Sequence, residues 1–305
     1  RKDLGKDLQV FYLGAKFKGG EELEKQGRFD DAAKKYLSLV AEDPKNEFAP
    51  TALFRVARNY EKLAKYESAT KVYERVVDEY PKSESVDFSL HRIGVNSMLF
   101  YNVDKAIASW RKLGTQYPGS RWQPFALAFG AQGLENNQDY SRAAEMYEKY
   151  ANEYRDIDGY LKKFPEMKQS AAELPKGPAM YFRAGLVREK GKDWSGAIRT
   201  FSNFISRFGS DGTFAQPAVE ATWRIAKAYE KQGRGGESKR AYANILKEYT
   251  RQRIANGTLP ASNYAAEAKF LALEDRYQTF LVMKMAGKLK DFIKKLNAKA
   301  KFLKD

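Results

Sequence analysis

Few residues in this sequence have the types and spacing that catalysis or metal binding requires. Histidine occurs once, at His91, and cysteine is absent from all 305 residues. A Ser-His-Asp set or a two-histidine metal site is therefore not expected, and disulfides, thiolate metal sites and cysteine nucleophiles are excluded. The lack of cysteine also favours a compartment in which stray thiols are harmful, such as a bacterial periplasm, with the cytoplasm as the alternative.

Two kinds of short segment resemble chemical motifs without their defining parts. The glycine-rich stretch GRGGES, Gly233 to Ser238, lacks the Gly-Lys-Ser/Thr ending and the preceding strand of a phosphate-binding loop, so we interpret it as a turn. The paired carboxylates Glu21-Glu22 and Asp30-Asp31 suit helix starts or exposed faces, where they complement the helix dipole. We therefore expect no catalytic residue, no cofactor, no metal site and no small-molecule substrate, and a protein that is not an enzyme.

The chain repeats itself at an interval of 37 residues. Tyr80-Pro81-Lys82-Ser83 and Tyr117-Pro118-Gly119-Ser120 end equivalent segments, and the same register aligns further columns of one residue type. The columns hold small residues (Gly20, Ala57, Gly94, Ala131, Gly185, Ala226), small residues again (Ala32, Ala69, Ala106, Ala143, Ala197, Ser238), aromatic residues (Tyr36, Tyr73, Trp110, Tyr147, Phe201, Tyr242) and mostly aromatic residues near a turn (Phe29, Tyr66, Val103, Tyr140, Trp194, Gly235). Two antiparallel helices approach closely only where a small side chain leaves room that a large one fills. The pattern predicts an all-α fold of stacked helix pairs.

One unit shows a family pattern clearly. Leu53-x2-Val56-Ala57-x2-Tyr60, then Ala69-x3-Tyr73 and Pro81, resemble the tetratricopeptide repeat (TPR). Six such units cover about residues 10 to 250, with steps of 37, 37, 37, 54 and 41 residues. The resemblance implies an α-solenoid, a right-handed superhelix of helix pairs, that acts as a non-enzymatic scaffold and binds partner peptides or domains in its concave groove.

The repeat endings and the tail resemble those of particular TPR families. Long helices with a Tyr-Pro-x-Ser ending are similar to the repeats of the Tol-Pal-associated coordinator and of outer-membrane assembly lipoproteins. The lysine-rich tail resembles that of the envelope TPR proteins of myxobacterial gliding motility. These resemblances imply partners among the subunits of a bacterial cell-envelope complex, and a location in the periplasm or at the outer membrane.

The period also predicts the domain organisation. We expect a lead-in at 1–9, four repeats at 10–155, an insert or linker at 156–177 marked by proline residues, two repeats at 178–250 and basic amphipathic helices at 251–305. Asn-Gly and Pro signals predict a loop over residues 250–263. Because the chain begins at Arg1 without methionine and ends without a helix-terminating residue, we expect a mature or trimmed protein that is a piece of something longer.

The resemblance also implies a set of contact residues, because the first helix of each TPR unit lines the groove. The arginines of this set form a ladder interrupted by Phe129, and aromatic anchors beside guanidinium groups suit an extended or helical peptide that carries carboxylates. The alternative is that the aromatic side chains, and the single histidine, pack between repeats while the arginines pair with neighbouring glutamates. The candidate contact residues are Phe54, Arg55, Arg58, His91, Arg92, Phe129, Gln132, Phe182, Arg183, Trp223, Arg224 and Lys227.

Three aromatic residues depart from the pattern of one class of TPR proteins, the carboxylate-clamp TPRs. Phe54, Phe182 and Trp223 stand where carboxylate-clamp TPRs have a lysine, so we do not expect a clamp for chaperone tails.

The end of the chain is strongly basic. From Arg276 onward nine lysine and arginine residues face only two aspartates, which places seven of the 15 excess positive charges on the last 30 residues. Apolar residues at helical spacing predict one or two amphipathic helices here. Three interpretations stay open for the lysines: a solvated helix face, contact with anionic lipid headgroups or an acidic partner, and nucleic-acid binding by a helical-repeat protein. The lysines are not interleaved with exposed aromatic residues, which argues against the last.

Overall fold

A computed structural model describes residues 2–257, 262–283 and 288–304. These residues are mostly helical and contain no strand, so the all-α class is confirmed, and the helices follow one another in pairs. The chain divides into two units, Arg1–Met180 and Tyr181–Asp305. The first unit contains α1 (Lys2–Lys25), α2 (Phe29–Glu42), α3 (Ala49–Lys62), α4 (Tyr66–Glu79), α5 (Val86–Leu99), α6 (Val103–Gln116), α7 (Gln123–Asn136), α8 (Tyr140–Glu153), α9 (Ile157–Lys163) and α10 (Lys168–Ala171).

The second unit begins inside a helix. The boundary between Met180 and Tyr181 falls within α11 (Gly177–Lys190), and paired helices continue after it. These are α12 (Trp194–Phe208), α13 (Ala215–Lys231), α14 (Gly235–Asn256), α15 (Asn263–Val282) and α16 (Leu289–Lys304). The right-handed superhelical sense stays a prediction.

Small residues and rings meet within the helix pairs, as the columns predict. A Cβ added at Gly20 would lie 2.5 Å from the Tyr36 ring, and one added at Gly94 would lie 2.3 Å from Trp110. In the second unit the same substitution at Gly185 would meet Phe201 at 2.5 Å. These distances are too short for a real methyl group, so the missing side chain is what lets the two helices of a pair approach.

The turn inside each pair has a constant backbone form. The turn-column residues are the first residues of α2, α4, α6, α8, α12 and α14. Two residues before each of them, the backbone has a positive φ, which glycine adopts at least cost. The six residues are Gly27, Ala64, Tyr101, Gln138, Lys192 and Gly233, with φ from 55° to 74°.

The recurring Tyr-Pro phrase joins successive pairs. The Tyr80 hydroxyl donates to the carbonyl oxygen of Pro44 at 2.7 Å, and the Tyr117 hydroxyl reaches the carbonyl oxygen of Pro81 at 3.5 Å. Each tyrosine therefore contacts the ending of the preceding unit, 36 residues earlier, which explains why the phrase is written twice.

The loop predicted over residues 250–263 is wrong in its first half, because α14 continues to Asn256. Arg251 and Gln252 both donate side-chain hydrogen bonds to the carbonyl oxygen of Gly209, which holds the last turns of the helix against the end of α12. The helix stops where Gly257 takes a φ of 79°. Residues 258–261 lie outside the described residues.

None of the helices in the described part of the chain combines the length and apolar character needed to cross a bilayer.

Candidate interaction surface

Three arginines of the candidate set connect one helix pair to the preceding pair through glutamates. Arg55 donates to Glu24 at 2.5 Å and to Glu21 at 2.7 Å, and Arg92 donates to Glu61 at 2.7 Å. These glutamates lie on the first helix of the preceding pair, α1 and α3. In the second unit Arg224 of α13 pairs with Glu189 of α11 at 2.6 Å and with Glu220 of its own helix at 2.7 Å. These guanidinium groups already have carboxylate partners, as one of the two sequence interpretations expects.

An asparagine completes each set in the first unit. Asn59 donates to Glu24 and Asn96 donates to Glu61, each at 2.8 Å. The glutamates are well covered, with side chains 16% and 10% exposed. A partly buried carboxylate is stable as an ion only when it is paired and hydrogen-bonded, so the arginine and the asparagine both stabilise the stacking of first helices.

The second unit shows the same balance of burial and pairing. Burial raises the pKa of Glu189, and Arg224 opposes this rise. Arg183, the remaining arginine of the ladder, is partly buried and also takes part in an interaction.

A continuous row of rings runs over the first helices of the first unit. Phe54 packs against Phe88 with ring centroids 5.4 Å apart, and Phe88 packs against Trp122 at 4.6 Å. Trp122 in turn stacks on His91 at 5.1 Å with an interplanar angle of 14°. Phe54, Phe88 and Trp122 are partly exposed. The row therefore combines internal packing with an accessible aromatic surface.

His91 lies inside this row rather than on its surface. Its side chain is 3% exposed, it touches the rings of Phe88, Trp122, Phe125 and Phe129, and its Nδ1 has no hydrogen-bond partner. Burial, with a smaller contribution from Arg92, lowers its pKa to about 3. The imidazole is therefore neutral near pH 7 and behaves as a packed ring, and the packing alternative describes its place in the fold.

The segment 156–177 covers one end of the ring row. Tyr160 and Met167 are buried against Phe125, and Trp122 and Phe129 pack on the same cluster. The Tyr160 hydroxyl donates to the carbonyl oxygen of Arg121 at 2.7 Å, and the Arg121 side chain pairs with Glu166 at 3.0 Å. Phe129 is therefore engaged by the chain itself, while Gln132 on the same helix is exposed.

Sequence reasoning missed this docking, although a signal for it exists. The segment carries Tyr160, Leu161, Phe164, Met167 and Leu174, an apolar density that a solvated linker does not need.

The second unit also uses its candidate residues internally. Phe182 packs edge-on against Phe201 and Phe204, each at 5.3 Å between centroids. Trp223 donates its indole N–H to Glu267 of α15 at 2.8 Å, and Lys227 pairs with the same carboxylate at 2.9 Å. The helix α15 thus takes the place of a further first helix, which the six-repeat prediction missed.

A signal for this further first helix lies in the small residues at its start. Ala265 and Ala268 are buried in the same cluster as Ala226.

One stretch of the ring row stays accessible in the first unit. We call it the aromatic patch and define it as Phe54, Arg58 and Phe88. The Arg58 guanidinium lies 5.4 Å from the centre of the Phe88 ring, and its side chain is 47% exposed. Its nearest carboxylate, Glu61, is 3.8 Å away and is already hydrogen-bonded by Arg92. The patch therefore presents two aromatic rings and a guanidinium whose positive charge is only partly balanced by Glu61.

Helices α12, α13 and α14 of the second unit line a cleft of about 670 Å³. Its floor contains Ile205, Ile225 and Tyr229, and Arg240 and Lys247 are exposed at its rim. No group of three His, Asp or Glu side chains that could hold a metal ion occurs among the described residues. The cleft has an apolar floor and a charged rim. His91, the single histidine of the sequence, does not line it.

Two segments of the chain match a known repeat family. Residues 51–83 and 179–210 match the family model of the tetratricopeptide repeat. No curated protein matches the chain significantly.

Solved structures with similar chains include several repeat proteins. A tetratricopeptide repeat protein from Parabacteroides merdae is 12% identical, with 94% of this chain and 98% of that chain covered and a TM-score of 0.42. The C-terminal part of a TPR repeat-containing protein from Cytophaga hutchinsonii is 16% identical, with 94% of each chain covered and a TM-score of 0.42. PilF of Pseudomonas aeruginosa is 12% identical, with 82% of this chain and 99% of that chain covered and a TM-score of 0.39.

Proposed function

We propose that this chain, which contains tetratricopeptide repeats, is a non-enzymatic scaffold that binds another protein through the aromatic patch of its first unit. Tetratricopeptide repeats are protein-interaction modules, and the two matched segments support that class of function. The partner segment is extended or helical, with an apolar anchor for the rings and a carboxylate for Arg58.

The proposal rests on one observation: the aromatic patch is accessible, while the arginines next to it are already paired with glutamates. Aromatic and arginine side chains contribute most of the binding energy at protein interfaces when they are surrounded by well-packed residues. Phe54 and Phe88 stay partly exposed, whereas Arg55 and Arg92 on either side are held by glutamates. A rigid surround of this kind lets the patch meet a partner without first being ordered.

The charge of the patch determines which partner fits. The Arg58 guanidinium shares the carboxylate of Glu61 with Arg92, so a carboxylate from outside gains a charge-assisted hydrogen bond at Arg58. The guanidinium lies 5.4 Å from the centre of the Phe88 ring, so a carboxylate bound to it would lie beside apolar surface. The patch therefore selects an acidic residue next to an apolar one.

The location and the partners are proposed with this function. The chain would act in the periplasm or at the outer membrane of a bacterium, among the subunits of an envelope complex. What supports this is the absence of cysteine from 305 residues and the similarity of the Tyr-Pro-x-Ser endings to envelope repeats. Fractionation of the source cells with an antibody against the chain tests it, and recovery in the cytoplasmic fraction alone would contradict the location.

Affinity capture tests the binding surface. The purified chain is compared with a patch variant, Arg58→Glu with Phe88→Ser, and with a control, Arg111→Glu, which changes an exposed arginine of the second helix α6. We expect one or a few proteins retained by the wild type and the control and lost by the patch variant, with circular dichroism melts verifying that all three fold. Identical captures by all three would show that the patch is not the binding surface.

A further inference from the structure

The last described helix, α16, leaves a stripe of apolar side chains uncovered. Its members recur at the three- and four-residue spacing of one helix face. In the second helices α12 and α14, by contrast, Phe204 and Ile245 are almost fully buried. The stripe consists of Leu289, Phe292, Ile293 and Leu296, which are 74%, 36%, 47% and 49% exposed.

Lysines border this stripe on both sides. At 100° per residue, Lys290 and Lys301 fall on one side of it, Lys295 and Lys299 fall on the other, and Lys294 lies on the opposite face. Asp291, the acidic residue of this helix, lies on the opposite face. Lysine stems can follow an apolar surface while their ammonium groups stay in water, so both borders can approach a surface that is apolar below and anionic above.

The contact between α16 and its neighbour leaves the stripe available. Lys299 places its ammonium 4.5 Å from the centre of the Phe280 ring of α15, so a border lysine contacts that helix while the stripe keeps the exposure given above. Phe270 and Leu281 of α15, which follow its buried start, are also more than half exposed.

The charge pattern of α16 indicates which kind of partner could cover the stripe: a second helix, nucleic acid or a lipid bilayer. A coiled-coil partner is selected by acidic and basic residues bordering the apolar seam, whereas the charged residues at the borders here are all lysines. Nucleic acid would neutralise the lysines and leave the stripe in water. An anionic bilayer surface uses both features, since the stripe enters the headgroup boundary while the border lysines meet lipid phosphates.

We propose that α16 binds the surface of an anionic lipid bilayer, with Leu289, Phe292, Ile293 and Leu296 inserted and the lysines at the headgroups. This contact would hold the scaffold at a membrane, and it is independent of the aromatic patch in the first unit.

Co-sedimentation with lipid vesicles tests the proposal on the full chain. The vesicles contain phosphatidylcholine with a minor share of phosphatidylglycerol, or phosphatidylcholine alone. We expect binding to the anionic vesicles that weakens as salt rises, and much weaker binding to the neutral ones. Lys290→Gln with Lys301→Gln should lower partitioning about 30-fold, because each lysine near an anionic surface contributes roughly a factor of five.

A second variant and a matched control separate insertion from simple attraction. Ile293→Asp should abolish binding while leaving all lysines in place. Lys71→Gln with Lys149→Gln removes two exposed lysines of the first unit and should bind as the wild type does.

Several results would overturn the proposal. These are a wild-type chain that stays in the supernatant with anionic vesicles, equal binding to neutral vesicles, and lysine variants that bind like the wild type. A lower melting temperature or a smaller particle in gel filtration for Ile293→Asp would instead assign the stripe to α15 or to a second copy of the chain. Binding of single-stranded DNA without vesicle binding, lost in the lysine variant and kept by Ile293→Asp, would assign the lysines to nucleic acid.

Discussion

Acidification from pH 7 to pH 5 should destabilise this chain through one side chain, His91. The residue is 3% exposed and surrounded by four rings, and its Nδ1 has no hydrogen-bond partner. A proton on this imidazole would place a charge in an apolar site next to Arg92, without a carboxylate to pair with it. Because the sequence contains no other histidine, no other side chain of that type titrates in this range.

The magnitude follows from the difference between the two states. The pKa is 6.5 in the unfolded chain and about 3 in the folded one. Above pH 6.5 both states keep the imidazole neutral and its titration contributes no pH dependence. As the pH falls below 6.5, the unfolded chain gains a proton that the folded chain rejects until about pH 3, so the free energy of unfolding decreases. Linkage puts the loss between pH 7 and pH 5 at about 2 kcal/mol.

Two measurements check this. The C2 proton of the single histidine reports its pKa directly by NMR, and urea unfolding at pH 7, 6 and 5 reports the loss of stability. The control is His91→Phe, which keeps a ring against Trp122 and removes both the titration and the unpaired nitrogen. We expect the wild type to lose about 2 kcal/mol more than the variant between pH 7 and pH 5. Parallel pH profiles for the two proteins, or an NMR pKa near 6.5, would refute the burial argument.

Three further predictions concern the repeat itself. Tyr73→Ala or Trp110→Ala should lower the free energy of unfolding by about 3–5 kcal/mol, because these rings are 0% and 3% exposed; thermal or urea melts close to the wild type would contradict the packing. Gly94→Ala should cost about 1–3 kcal/mol through its collision with Trp110, whereas Gly119→Ala, which meets no atom within 4 Å, should change stability by less than about 0.5 kcal/mol. Ala64→Gly should stabilise the chain by about 0.5–1 kcal/mol because residue 64 has a φ of 55°, and a lower melting temperature would show that the turn is not strained there.

The helix pairs could be predicted because close packing leaves a periodic trace in a sequence. Residue 94 must be glycine because the Trp110 ring occupies the space that a side chain would need. Both residues belong to the same helix pair, so the small and the large position recur together. The positive φ of the turns recurs in that period as well, yet alanine, tyrosine, glutamine and lysine occupy four of the six positions. That feature was therefore invisible in the residue types.

The candidate site was less predictable, because its residue types serve two purposes. An arginine on a first helix suits a peptide carboxylate and a neighbouring glutamate equally, and only the distance between helices decides. In the first unit the choice did leave a trace, since Glu24, Arg55 and Asn59 recur as Glu61, Arg92 and Asn96 at the same offsets. Aligning carboxylates with the arginine ladder would have found these pairs.

Composition and periodicity were enough to predict the all-α class, the period and the residues that pack each helix pair together, because those contacts are local and repeat along the chain. The three-dimensional packing was needed to show that His91 is buried, that segment 156–177 packs on the ring row and that Trp223 donates to Glu267 of α15. The last two contacts involve segments that lie outside the repeat, so no periodic pattern predicts them, and a single histidine has no column that could indicate its burial. Whether such a segment covers an aromatic side chain decides whether that side chain is accessible to a partner or only packs inside the protein.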